Sequence, residues 1–226
     1  LCVRKQGATA WEGPLLSGLG AQGGADQGMM TRAFERDAST IDVAVVSSKA
    51  TSCDKPVVSS KTPIALASGG GALLVLRGNG GVIGAEALDI ATLTEESTAP
   101  ASGKVRVRFF HASPNWESGK ATVLLGSTTA FSNVSFGQLA TTSTLGTPSA
   151  AGYVDVPPAG GMITVQGLQD FDGPQTVYGQ WTPKTGSRMT LLFEGAAGSG
   201  FYPPTVIACT DDDTLATAAD ALTACD

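Results

Sequence analysis

The sequence predicts an all-β protein, two tandem immunoglobulin-like β-sandwich domains followed by a short C-terminal helix. Three observations carry this. Short runs of alternating apolar residues recur along the chain, turns rich in glycine, proline and serine separate them, and the second half repeats the first. With 29 glycines and only 15% charged side chains in 226 residues, the composition suits many-turned β-structure and disfavours a helical bundle.

The elements follow in order. "TIDVAVV" (40–46) and "ALLVLRG" (72–78) read as strands of the first half. "KVRVRFF" (104–110), "ATVLLG" (121–126), "GYVDV" (152–156), "MITVQG" (162–167) and "RMTLLFEG" (188–195) read as strands of the second. In "KVRVRFF", Val105, Val107 and Phe109 alternate with Lys104, Arg106 and Arg108, the period of a strand with one buried face. About seven such strands per hundred residues is the signature of a sandwich. The tail "TDDDTLATAADALTACD" (210–226) is the one helix candidate, with Leu215, Ala218, Ala219 and Leu222 in a narrow apolar stripe and Thr210 and Asp213 placed to cap it.

An internal repeat sets the domain organisation. "GYVDVPPAGGMITV" (152–165) parallels "AFERDASTIDVAV" (33–45), and "WTPKTGSRMTLLFEG" (181–195) parallels "KTPIALASGGGALLVLRG" (61–78). "LCVRK" at the start falls opposite "ATVLL" (121–125), so an offset of about 119 residues holds with small gaps. Residues 1–97 form the first domain, 98–103 the linker, 104–213 the second domain and 214–226 the helical tail. Nothing in the first half matches "KVRVRFFHASPN" (104–115), so the first domain lacks its opening strand. Three explanations stand: a chain trimmed at its N-terminus, a domain that closes differently with the help of a disulfide, or a strand supplied by another molecule. The start at Leu1, with no Met and no leader, predicts a mature, processed or trimmed form.

Cys2, Cys53, Cys209 and Cys225 have no zinc-site spacing, and the single histidine cannot complete a Cys/His cluster. Two disulfides in an oxidising compartment are expected, Cys2–Cys53 and Cys209–Cys225 being the sequence-local choice. The net charge of −6 leaves no basic reservoir for nucleic acid, and no apolar run reaches the roughly 18–20 residues of a membrane helix.

The phrases "VRVRFFHASPN", "NVSFGQL" and "GYVDVPPAGG" together resemble the bacterial family designated domain of unknown function 4397, found in tandem in secreted and envelope proteins. His111, Ala112, Ser113 and Pro114 match its first phrase, Asn133, Val134, Phe136 and Gly137 a middle one, and residues 153–160 the last. The first half keeps the pattern in outline only, with Phe34 in place of the tyrosine. The resemblance implies a β-sandwich module outside the cytoplasm and brings no activity.

Each candidate for chemistry has a structural counter-reading. His111 has no nucleophile elbow to serve, and a structural role, donating to a carbonyl of the "HASP" turn, is the expectation. "GLGAQG" (18–23) fits a dinucleotide loop in spacing but opens onto poor helix formers, so it reads as a glycine-rich turn. Asp211, Asp212 and Asp213 are weak calcium candidates, explained equally by the acid preference of a helix N-terminus. Lys104, Arg106 and Arg108 form a basic stripe, read as a solvated strand face or as a contact for acidic polymers. Trp11, Trp116, Trp181 and Tyr178 are the candidates for a sugar-stacking platform. The expectation is a non-enzymatic, cofactor-free secreted or cell-surface structural protein, with itself or other envelope proteins as partners. The alternative is an adhesion module for polysaccharide or protein ligands.

Overall fold

A computed structural model describes residues 1–15, 39–47, 49–66, 71–78, 84, 86–116, 118–170, 172–197 and 203–211. Among them are fourteen β-strands and no helix. The expected tail helix (214–226) and the glycine-rich turn (18–23) lie outside the described residues. Chain packing separates two units: one holds the described residues within Leu1–Ile83 and Ala87–Glu96, the other those within Gly84–Glu86 and Ser97–Thr214.

In the first unit, β1 (Cys2–Lys5) pairs antiparallel with β2 (Ser39–Val46), Val3 lying opposite Val43. On the other edge of β2 lie β3 (Pro56–Ser59) and β4 (Ile64–Leu66). A separate antiparallel pair is formed by β5 (Ala72–Arg77) and β6 (Asp89–Thr94). Alternation sends Val3, Ile41 and Val43 into a core with Ile64 and Ile90, against which Leu66, Ala72 and Leu74 pack. The opposite face of β1 and β2 is also buried. There Cys2, Ala44, Val46 and Cys53 cluster with Trp11 and Ala50. Cys2 and Cys53 are disulfide-bonded across 51 residues, which holds the segment after β3's partner strand against this face. Closing a loop of that length contributes about 4 kcal/mol on the chain-entropy model.

The second unit is a sandwich of two four-stranded sheets. Its strands are β7 (Val105–His111), β8 (Ser118–Leu125), β9 (Thr128–Val134), β10 (Val154–Val156), β11 (Gly161–Asp170), β12 (Gly173–Trp181), β13 (Arg188–Glu194) and β14 (Thr205–Thr210). One sheet has the order β10-β7-β13-β14 and the other β12-β11-β8-β9. Val107, Phe109, Leu191 and Phe193 from the first sheet meet Val123, Phe131, Ile163 and Val165 from the second in one core. The rings of Phe109 and Phe131 stack at 6.2 Å. Gly179 lets the β12 edge approach β14, since a Cβ there would stand 2.5 Å from the Val206 carbonyl oxygen.

The strand order differs from the seven-stranded ABED/CFG immunoglobulin arrangement. The opening strand β7 lies inside its sheet and pairs in parallel with β13, Arg106 opposite Arg188 through His111 opposite Phe193. Every other pairing between named strands is antiparallel among the described residues.

The two units share a pairing scheme. Val3 opposite Val43 and bridged to Glu12 in the first unit corresponds to Val123 opposite Val165 and Phe131 in the second. The β1-β2-β3 order thus matches β8-β11-β12. Likewise Leu74 opposite Thr92 corresponds to Leu191 opposite Ala208, matching β5-β6 to β13-β14. The match extends past the strands. Glu95 N donates to the Gly71 carbonyl at 3.0 Å, as Asp211 N donates to that of Arg188 at 2.8 Å.

Candidate functional site

The only histidine ends β7 and enters a turn held by backbone bonds. Ala112 N donates to the Phe193 carbonyl and Gly137 N to that of His111, both at 2.7 Å. The imidazole lies 5.0 Å from the Phe193 ring and 6.1 Å, edge-on, from Phe136. It is 2% exposed, and burial lowers its pKa to about 4, which keeps the ring neutral near pH 7. Its Nδ1 is buried without a hydrogen-bond partner, so that nitrogen does not make the expected donation to a turn carbonyl. The ring acts here by packing. Asn115, at φ 68°, then turns the chain so that Trp116 stacks on Phe193 at 5.8 Å while its Nε1 donates to Ser113 Oγ at 3.0 Å. The segment from β7 to Trp116 is therefore a cover over Phe193.

Arg108 corrects the reading of the basic stripe as a solvated face or a polymer contact. It is wholly buried, because the β10-β7-β13-β14 sheet is enclosed on its second face as well as its first: Phe110, Thr190, Leu192 and Cys209 on that second face are buried too. Arg108 Nε donates to Thr190 Oγ1 at 2.8 Å, and Thr190 Oγ1 donates to Asp211 Oδ2 at 2.6 Å. Tyr153 Oη donates to the same carboxylate oxygen at 2.8 Å, and its ring lies 4.5 Å beneath the guanidinium. Desolvation raises the Asp211 pKa, with Arg108 and the two hydroxyls opposing it. Arg106 is likewise engaged, its Nε donating to Asp155 Oδ1 at 2.7 Å. Asp211 is thus committed to an internal network through its Oδ2; Asp212 and Asp213 lie outside the described residues. Cys209 is disulfide-bonded, and its expected partner Cys225 also lies outside them.

The tryptophans do not form a platform. Trp181 is buried in the sandwich core, Trp116 lies against Phe193, and Trp11 packs by the disulfide with the Arg4 guanidinium 4.4 Å from its ring. Tyr178 is the exposed member of the set, at 61%. It stands on the outer face of β12 opposite Thr164, next to the row where Gln180 lies opposite Met162.

The remaining candidate is the edge of β5. In the second unit β13 is flanked by β14 and β7; among the described residues β5 pairs with β6 alone. The consequence is legible one side chain at a time. Leu76 holds the place of Phe193, opposite Ile90 as Phe193 is opposite Val206, yet Leu76 is 48% exposed and Phe193 is 0%. His111 and Trp116, which cover Phe193, have no described counterpart over Leu76.

No protein family, curated protein or solved structure matches this chain. Sequence reasoning did not find the Arg108–Thr190–Tyr153–Asp211 network, whose members are up to 103 residues apart in sequence (211 minus 108). The only signal was an arginine flanked by apolar residues on both sides in "VRFF". Nor did it find Leu76, since exposure depends on a neighbouring strand that composition does not reveal.

Proposed function

We propose that the protein is a non-enzymatic structural subunit, secreted or displayed at the cell surface, made of two related β-sandwich modules. Copies of the chain assemble through β-strand donation into a filament or surface layer. The observation that carries this reading is the half-exposed Leu76 on a strand whose equivalent is enclosed. Among the described residues β5 pairs with β6 alone, and a half-exposed leucine on such a strand is what strand addition would cover. The Cys2–Cys53 disulfide supports an oxidising compartment, and among the described residues no helix is long and apolar enough to cross a membrane. Light scattering coupled to size exclusion, with negative-stain imaging, tests it. Concentration-dependent growth into linear particles is the expected result; a monodisperse monomer at all concentrations overturns it.

A second reading has its own observation. The outer face of β12, β11 and β8 presents Tyr178, Gln180, Met162, Thr164, Thr122 and Leu124, none of them charged. In the first unit the matching face is covered by the disulfide-held cluster. A hydroxyl- and amide-bearing face with one exposed ring, and with Lys120 as its charged neighbour on β8, suits a polysaccharide. Retention on immobilised neutral glycans that Tyr178→Ala abolishes supports this binding role; equal retention of both proteins removes it.

A further inference from the structure

We infer that the outer face of β12, β11 and β8 holds an acidic, carboxylate-bearing polysaccharide, laid diagonally across the three strands from Tyr178 to Lys120. This rests on the polysaccharide reading above. It adds the charge class of the ligand, the line it follows and the side chain that selects it.

The register draws the line. Tyr178 lies opposite Thr164, and Gln166 follows Thr164 by two residues, on the same face of β11. Gln166 lies opposite Thr122 on β8, and Lys120 is two residues further along that face, exposed like Gln166. The bulge at Gly167, φ 86°, fixes where Lys120 stands, since a Cβ there would be 2.8 Å from the Lys120 carbonyl oxygen. Five side chains thus follow one another through neighbouring positions: a ring, a hydroxyl, an amide, a hydroxyl and an ammonium. Two strand spacings in one direction and two side-chain repeats in the other separate the ends, about 16 Å on a flat sheet. A span of that length asks for several linked sugars.

These five side chains share unspent bonding capacity. Among the described residues, none of them is hydrogen-bonded or ion-paired within the chain. Arg4, Lys61, Arg77, Arg106 and Arg108 each face an aspartate; Lys120 faces none. No carboxylate is interposed along the track, although the chain carries a net charge of −6. Asp170, at the turn that joins β11 to β12, is engaged there, its Oδ1 accepting from Asp172 N at 2.9 Å and from Gln175 Nε2 at 3.0 Å. An acidic glycan on this line therefore meets an unpaired ammonium and no opposing acid, which is the charge complementarity that selects it. Lysine suits this task, because its mobile point charge follows a carboxylate whose position varies from sugar to sugar. At the other end the Tyr178 ring, 61% exposed, offers a face on which a sugar stacks.

The test uses the full 226-residue protein and two fluorescently labelled probes, hexagalacturonate and the neutral cellohexaose. Both bind saturably, and the acidic probe binds about three- to fivefold more tightly, the worth of one exposed ion pair. Lys120→Ala brings the acidic affinity down to the neutral one, Lys120→Glu reverses the order, and about 0.5 M salt erases it. Tyr178→Ala weakens both probes about tenfold, while the near-ultraviolet signal of the tryptophans reports that the fold persists. Digalacturonate, too short for the diagonal, binds more weakly than hexagalacturonate. An acidic preference that survives Lys120→Ala overturns the inference, as does digalacturonate binding as tightly as the longer probe. The outcomes separate the two claims. Equal binding of both long probes, lost in Tyr178→Ala, upholds the polysaccharide reading and sinks the charge selection, whereas binding of neither probe sinks both.

Discussion

β13 and β5 are the same strand in two settings. β13 has neighbours on both edges and is buried along almost its whole length, whereas β5 has one described neighbour and is mostly half-buried. Their sequences, "RMTLLFE" and "ALLVLR", are similarly apolar. Among the described residues, what separates them is the strand alongside. Burial in a sandwich is thus a property that β7 confers on β13, through Arg108 on one face and through Phe109 and His111 on the other.

The largest expected effect that sharpens this contrast comes from Arg108. Arg108→Ala leaves Asp211 buried without its counter-charge and should lower the second unit's stability by about 3–5 kcal/mol. A urea unfolding curve followed through Trp181 measures it, and a loss below about 1 kcal/mol would show the network to be incidental. Next is the Cys2→Ser, Cys53→Ser pair, expected to lower the first unit's stability by about 4 kcal/mol and to leave the second transition in place. A single shared transition that moves as a whole would break the picture of separately stabilised units. Smaller again is the pair of equivalent positions. Phe193→Leu should cost about 1–2 kcal/mol by opening a cavity, while Leu76→Ala, already half in water, should cost under about 1 kcal/mol. Equal losses would mean that β5 is as enclosed as β13.

The smallest effect is in pH. The lowered His111 pKa means that its contribution is present above pH 6.5 and is lost as pH falls towards about 4. Burial raises Glu194 to about 7, so its contribution is present below pH 4.5 and is lost as pH rises through about 7. Between pH 4.5 and 6.5 the two slopes oppose each other, and the stability of the second unit should vary little. His111→Phe should expose a decline with rising pH, and Glu194→Gln a decline with falling pH. Urea midpoints taken at half-unit intervals would show both, and two parallel profiles would contradict the assignment.

Much of the fold was legible because alternation reports burial directly. Val105, Val107 and Phe109 are read as one buried face and are one. Reading Arg106 and Arg108 as the wet face failed at Arg108, because a period-two pattern carries no information about what covers the second side of a sheet. Cysteine spacing led to the Cys2–Cys53 bond, since the shortest closures were the simplest. Strand order was not legible at all. Nothing in "KVRVRFF" says that its partner is "RMTLLFE" rather than the nearer "ATVLLG", because hydrophobic strands of similar length are interchangeable until tertiary packing selects among them. The platform of tryptophans failed for a related reason, as Trp181 lies at the inward position of a strand whose alternate residues are exposed.

The parallel pairing of β7 with β13 also sets a clock. Arg108 and its partner Thr190 are 82 residues apart, so at roughly 5–20 residues per second a ribosome takes about 4–16 seconds to deliver the second after the first. Throughout that interval the earliest strand of the module has been made and its principal neighbour has not. Contacts of such long sequence separation slow folding, and the nascent chain must carry "VRVRFF" unsheltered, a hazard that the two arginines within it blunt by keeping the waiting strand charged.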